Sequence, residues 1–287
     1  MIQDLKIGII GSDVRQSIVA RELASAGATV YGYAVTEEEG INICSSVKKC
    51  TSLSDIIILA LPYSADSRYI NCPDSEIKIT DFFNSIAEGK LVLAGKTDEY
   101  ARRLCNERNI KLTDYFEYEE LTLLNAVPTC EGALELAMRE LDITIFDSKS
   151  LVLGYGRIGK ILANHLAMLG SDVTVSARKS RDRTLAVING HNSCDISEIQ
   201  KRISQFDVVF NTIPSLIFNR ELLEKTPNNT LIIDLASRPG GVDMNTAKAM
   251  GKRVIWALSL PGKVAPVSAG KIIFSTIMKI LEEEGFL

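Results

Sequence analysis

A short apolar run, Leu151-Val152-Leu153, passes straight into Gly154-Tyr155-Gly156-Arg157-Ile158-Gly159-Lys160 and then into a helical pattern that closes at Gly170. The spacing G-x-G-x-x-G is weak by itself. A strand before it, a helix behind it and the strand Val173-Thr174-Val175 after it make it the fingerprint of a dinucleotide-binding βαβ unit. Each glycine has its own task. Gly154 permits the tight turn, Gly156 leaves room for a pyrophosphate, and Gly159 lets the helix press on the strand. The free N–H groups and positive dipole end of the helix then face the phosphates. Gly154, Tyr155, Gly156, Arg157, Ile158 and Gly159 are the expected cofactor contacts on this turn.

The end of the next strand separates NAD from NADP. An NAD site usually places an acidic residue about 20 positions on, to hold the ribose 2′-hydroxyl. Here the strand ends Val175-Ser176-Ala177-Arg178-Lys179, with alanine at the acidic position and cations after it. Ser176, Ala177, Arg178 and Lys179 suit a 2′-phosphate through charge-assisted hydrogen bonds. NADP is the expected cofactor, with NAD as the alternative. The earlier Gly8-Ile9-Ile10-Gly11-Ser12-Asp13 lacks the full spacing, and Asp13 would repel a pyrophosphate, so it is a turn of a substrate domain.

Strand-like and helix-like segments alternate along the whole chain, which predicts an α/β protein with two Rossmann-like, doubly wound parallel sheets and an active-site cleft between them. Residues 1–125 are expected to form an N-terminal substrate and catalytic domain, and residues 126–269 the NADP-binding domain. By analogy with two-domain dehydrogenases, the helix at 270–287 packs back on the first domain. Pro128 suggests that a helix begins at Glu131, capped by Thr129. With 46% hydrophobic and 24% charged residues the composition is globular, and the net charge of −4 gives no footprint for nucleic acid. No run spans a bilayer and the N-terminus has no signal-peptide layout, so a cytoplasmic protein without membrane partners is expected. Two histidines and six scattered cysteines without a Cys-x-x-Cys pair predict no metal site.

Ligands of open α/β sheets lie at the carboxyl ends of the strands. Three turns in the second half fit such a crevice: Asn211-Thr212-Ile213-Pro214, expected to line the cofactor, Asp234-Leu235-Ala236-Ser237-Arg238-Pro239-Gly240-Gly241, and Leu260-Pro261-Gly262-Lys263-Val264-Ala265-Pro266.

At these turns the sequence resembles the dipicolinate synthase A-subunit family. The resemblance runs from Gly11-Ser12-Asp13-x-Arg15-Gln16 through Pro128-Thr129-x-Glu131-Gly132 and the Gly154 turn to the Asp234–Gly241 and Leu260–Pro266 motifs and Ala269-Gly270. It implies oxidation of dihydrodipicolinate, or of its 4-hydroxy-tetrahydro precursor, to the aromatic pyridine-2,6-dicarboxylate. It also implies partnership with a flavoprotein-like B-subunit and the mother-cell cytoplasm of a sporulating bacterium; a homo-oligomer is expected separately. The dicarboxylate substrate needs cations and donors around it. Arg15, Thr129, Arg238, Lys263 and Asp234 are the catalytic candidates, with Gln16, Ser64 and Lys96 as further donors. Asp234, Glu131 and Lys263 remain open as a general base. Two alternatives stand beside this reading: an NADP-dependent dehydrogenase of another carboxylate, and a dinucleotide-binding regulatory subunit of a flavoprotein complex.

Overall fold

In the computed structural model, which describes residues 1–72 and 76–287, the described strands form two parallel sheets of six. The chain divides into one unit of Met1–Asn125 with Ala265–Leu287 and a second of Ala126–Val264.

The first unit carries β1 (Lys6–Ile10), β2 (Thr29–Tyr33), β3 (Ile41–Ile43), β4 (Ile56–Ile58), β5 (Leu91–Ala94) and β6 (Lys111–Asp114), in the order β3-β2-β1-β4-β5-β6. Its helices are α1 (Val14–Ser25), α2 (Val47–Leu53), α3 (Ile79–Asn84) and α4 (Glu99–Glu107), followed by the start of α5 (Glu119–Glu140). β4 and β5 are apolar at every position because they are covered on both faces, as central strands of a parallel sheet must be. The edge strands β3 and β6 are partly exposed and carry Asn42, Lys111 and Thr113, and for that reason they give no apolar run to read.

The second unit repeats the plan. It contains α6 (Arg157–Met168), α7 (Ser180–Ile188), α8 (Ile199–Arg202), α9 (Arg220–Lys225), α10 (Met244–Ala249) and α11 (Leu260–Val264). Its strands are β7 (Lys149–Leu153), β8 (Asp172–Ser176), β9 (Asn192–Cys194), β10 (Val208–Asn211), β11 (Leu231–Asp234) and β12 (Arg253–Trp256), in the order β12-β11-β10-β7-β8-β9. In both sheets the order reverses beside the first strand, between β1 and β4 and between β7 and β10. Open α/β sheets bind their ligands at the carboxyl ends beside such reversals. α12 (Pro266–Glu283) returns to the first unit, where Gly270 sits so close to Ile18 and the Arg15 carbonyl of α1 that a Cβ would collide with both.

The expected helix start at Glu131 is corrected. α5 runs through Pro128 without ending, so Thr129 lies inside the helix and is not its cap. A mid-helix proline costs about 3 kcal/mol. Burial of Leu121 and Leu136 on the same helix, at up to about 1.5–3 kcal/mol each, offsets it, with smaller contributions from Ala126, Cys130, Ala133 and Ala137. Lys263 likewise lies in the short helix α11 and not in an open turn. Among the described residues no helix is long and apolar enough to cross a membrane.

Candidate functional site

The glycine turn sits at the reversal point of the second sheet, where Leu153 of β7 pairs with Asn211 of β10. Its three glycines meet three different surroundings. Gly154 has φ +91°, and a Cβ there would strike Thr212 Oγ1, which is itself fixed by donating to the Leu153 carbonyl at 2.7 Å. A Cβ on Gly159 would overlap the Gly154 carbonyl. At Gly156 a Cβ would meet nothing within 4 Å. The first and third glycines are therefore demanded by packing. The second is not, and its open space lies where α6 begins.

Gly156 is the N-cap of α6, makes no side-chain cap hydrogen bond, and the first turn of the helix holds no acidic residue. The first N–H groups of α6 and its dipole thus face the open side with no carboxylate on the cap or the first turn of their own helix. α1 is the opposite case. Its N-cap Asp13 accepts from the Arg15 N–H at 2.9 Å, so the chain supplies its own anion there. Of these two helix starts, that of α6 is the one with room to cradle a pyrophosphate.

Around this cradle, Tyr155 turns its ring into the core and its hydroxyl accepts from Asn189 Nδ2 at 2.9 Å. Ile158 packs against the same core, and Arg157 starts α6 on the exposed side. At the end of β8, the Ser176 hydroxyl is buried and has no hydrogen-bond partner, while Ala177 is buried and Arg178 and Lys179 are exposed. The turn beneath them is shaped by Arg183, whose Nη1 donates to the Ala177 and Arg178 carbonyls at 2.8 Å and to Asp195 at 2.5 Å. Arg183 gave no sign of this in sequence, because its target is a pair of carbonyls.

Asn211 and Asp234 end neighbouring strands. Asn211 Nδ2 donates to Asp234 Oδ1 at 2.8 Å and to the Ile213 carbonyl at 3.1 Å, and its Oδ1 accepts from the Ile213 N–H. Ile213 and Pro214 carry the chain away from this lock, Pro214 on the exposed side. Asp234 is 1% exposed and also accepts from the N–H groups of Ala236 and Gly241, at 3.1 and 2.8 Å. Both its oxygens are engaged, which makes it the organiser of the Ala236–Gly241 turn rather than an open base. Arg238 projects from that turn, exposed, with its guanidinium 5.9 Å from the Trp256 ring centre. Lys263 lines a cavity of about 580 Å³ together with Trp256, Ala257, Leu260, Glu135 and Arg139. Thr129 is half-buried on α5.

In the first unit Arg15 is 6% exposed. Its Nε and Nη2 clasp both oxygens of Asp13, the shortest contact being 2.6 Å, and Nη2 also donates to the Leu61 carbonyl at 2.7 Å. It ties the turn after β1 to the turn after β4. Ser64 is used within its own turn, accepting from the Ser67 N–H at 3.0 Å.

Comparison with known proteins divides the chain along the same lines. The family of the dipicolinate synthase A-subunit N-terminal domain matches residues 6–116, and the shikimate/quinate 5-dehydrogenase family matches residues 135–256. The dipicolinate synthase A-subunit of Bacillus subtilis (strain 168) is 31% identical over 290 residues, covering 99% of this chain and 98% of that protein. The crystal structure of the dipicolinate synthase A-subunit from Bacillus halodurans superposes with a TM-score of 0.89 at 28% identity, over 98% of this chain and 99% of that one. A transhydrogenase from Sinorhizobium meliloti shares the fold, with a TM-score of 0.72 at 16% identity over 97% of this chain and 94% of that one.

Proposed function

The chain belongs to the dipicolinate synthase A-subunit family, and from that premise we propose that it oxidises dihydrodipicolinate, or its hydrated 4-hydroxy-tetrahydro precursor, to pyridine-2,6-dicarboxylate with NADP. It is a dinucleotide-dependent oxidoreductase. The observation that carries the reading is the open space over Gly156 at the uncapped start of α6, beside two glycines whose surroundings are filled.

The residues present fit a nicotinamide dinucleotide. Gly156 and the N–H groups opening α6 would hold the pyrophosphate. Preference for NADP is supported by the missing acidic residue at the end of β8, by the partnerless buried Ser176 hydroxyl, and by the exposed Arg178 and Lys179. A bound nicotinamide supplies the hydride acceptor.

In the proposed reaction the hydrated precursor first loses water; a ring carbon of the resulting dihydro form then gives up a hydride and its neighbour a proton, and the ring becomes aromatic. Aromatisation contributes driving force, so the protein's task is to orient a flat dianion and keep it in register. Arg238 and Lys263 supply charge for its carboxylates, and Thr129 supplies a hydroxyl donor. Asp234 and Asn211 hold the Arg238 turn rigid. Arg15 acts by holding two turns of the first unit together, since its guanidinium is already bound by Asp13 and the Leu61 carbonyl. A second, flavoprotein-like subunit is the proposed partner, and the mother cell of a sporulating bacterium the proposed setting.

The test mixes the purified chain with NADP and freshly generated dihydrodipicolinate, first alone and then with the flavoprotein-like partner, and follows NADPH and dipicolinate together. Equal amounts of both from the chain alone support the reading in full. Formation only with the partner means that the site is shared. No dipicolinate in either mixture, with NADP still bound, removes the substrate assignment.

A further inference from the structure

The first unit has its own reversal between β1 and β4, the place where open α/β sheets form a ligand crevice, and the turns around it are linked into one frame. The Tyr63 N–H, on the turn after β4, donates to the Gly95 carbonyl at 2.8 Å, and the Gly95 N–H to the Ala60 carbonyl at 3.2 Å. Gly95 tolerates no side chain, because a Cβ would stand 2.7 Å from both Leu61 and the Tyr115 ring. The next residue, Lys96, is held at φ +58°, a conformation that a residue with a side chain rarely adopts.

Asp114 imposes it. This carboxylate, 5% exposed at the end of β6, accepts from the Lys96 N–H at 2.9 Å, the Thr97 N–H at 2.6 Å, Thr97 Oγ1 at 2.9 Å and the Phe116 N–H at 2.8 Å. Three of these hydrogen bonds come from the Lys96–Thr97 turn and over-determine it, and the fourth fixes Asp114 in its own turn. What the turn presents is the Lys96 side chain, exposed, whose ammonium meets no hydrogen-bond or ion-pair partner among the described residues. The neighbouring cation differs. Arg15 is neutralised by Asp13, so the pair adds no net charge to the crevice. On the first turn of α1, Gln16 Nε2 is fully buried without a partner, while its Oε1 lies 3.4 Å from Ser12 Oγ. An uncommitted ammonium, just after β5, and an unused amide donor, on the helix after β1, thus belong to the carboxyl end of one sheet.

We propose that Lys96, with Gln16 as a second donor, binds one carboxylate of the substrate on the first unit, and that Asp114 is the positioning residue that aims it. The inference rests on the dicarboxylate reading above and deepens it. It moves the charge in this unit from Arg15, which the sequence favours, to Lys96.

Binding of pyridine-2,6-dicarboxylate to the full chain in saturating NADP, measured by calorimetry, tests it. Lys96→Gly keeps the left-handed backbone and removes the whole side chain with its ammonium. It should weaken the dicarboxylate about tenfold and bring it close to pyridine-2-carboxylate, with NADP affinity unchanged. Lys96→Arg should stay within about threefold of the parent chain. Asp114→Asn should lose part of the affinity while retaining the charge of Lys96. If Lys96→Gly binds the dicarboxylate as the parent does, Lys96 is not the anchor and the substrate reading stands. If the parent chain does not bind the dicarboxylate at all, the substrate reading fails and this inference fails with it.

Discussion

Asn211 Nδ2 and Asp234 Oδ1 lie 2.8 Å apart, directly opposite each other at the carboxyl ends of the paired strands β10 and β11. The bond closes a buried lock that shapes two turns of the proposed site. Asp234→Ala removes the acceptor for Asn211 and for the N–H groups of Ala236 and Gly241. Leaving such buried donors unpaired costs about 1–3 kcal/mol each before relaxation, so a total loss of about 2–4 kcal/mol is expected in urea unfolding. A loss below about 1 kcal/mol would remove Asp234 from its organising role.

The three glycines of the cofactor turn should separate by phenotype. Gly156→Ala adds a methyl group to open space, so the chain should fold with near-parental stability and lose NADP affinity by about tenfold or more. Gly159→Ala forces the helix away from the Gly154 carbonyl, and its main defect should be in unfolding. Thermal unfolding and cofactor titration on both variants check this. Equal effects of the two changes on both readouts would contradict the division of tasks.

Two arginines near the end of β8 should behave differently. Arg178 is exposed beyond the strand end, and Arg178→Ala is expected to weaken NADP about tenfold while leaving NAD unchanged. Arg183 holds the turn itself through the Ala177 and Arg178 carbonyls and Asp195, so Arg183→Ala should weaken both cofactors and lower stability. Parallel titrations with the two dinucleotides distinguish these outcomes, and an unchanged NADP-to-NAD ratio in Arg178→Ala would remove the 2′-phosphate assignment.

His191 gives a pH-dependent stability. It is buried with its Nε2 2.9 Å from Asn164 Oδ1, and burial pushes its pKa below the ordinary 6.5. The folded chain therefore takes up this proton less readily than the unfolded chain. The contribution is fully present above about pH 6.5 and is lost as the pH falls from there through the lowered folded value. Melting curves of the parent chain and His191→Gln across that range should show a shallower acid decline in the variant. Identical slopes would refute the assignment.

What the sequence disclosed follows physical lines. The β7–Gly154–α6 unit and strands such as Leu91–Ala94 were legible because full burial writes an apolar run and a tight turn demands glycine, and Thr29–Tyr33 because its β-branched and aromatic residues favour a strand. Edge strands β3, β6 and β9 were not, since one exposed side allows polar residues. Thr129 was misplaced because Pro128 is a local breaker, and its tolerance depends on packing along the whole of α5. Arg15 and Asp234 were recognised as notable residues, but their roles are set by neighbours distant in sequence. Leu61 is one for Arg15, and Asn211 and Gly241 are two for Asp234. Lys96 carried no pattern that revealed its left-handed backbone, because the cause lies in Asp114 on another strand.

The most direct test of the central claim follows a single label. Dihydrodipicolinate deuterated at the ring carbon that loses hydride is oxidised by the chain, with its flavoprotein-like partner present, in NADP. The account predicts one deuterium on the nicotinamide ring of NADPH for each dipicolinate formed. Dipicolinate that forms while the deuterium passes to water and no NADPH accumulates would contradict it.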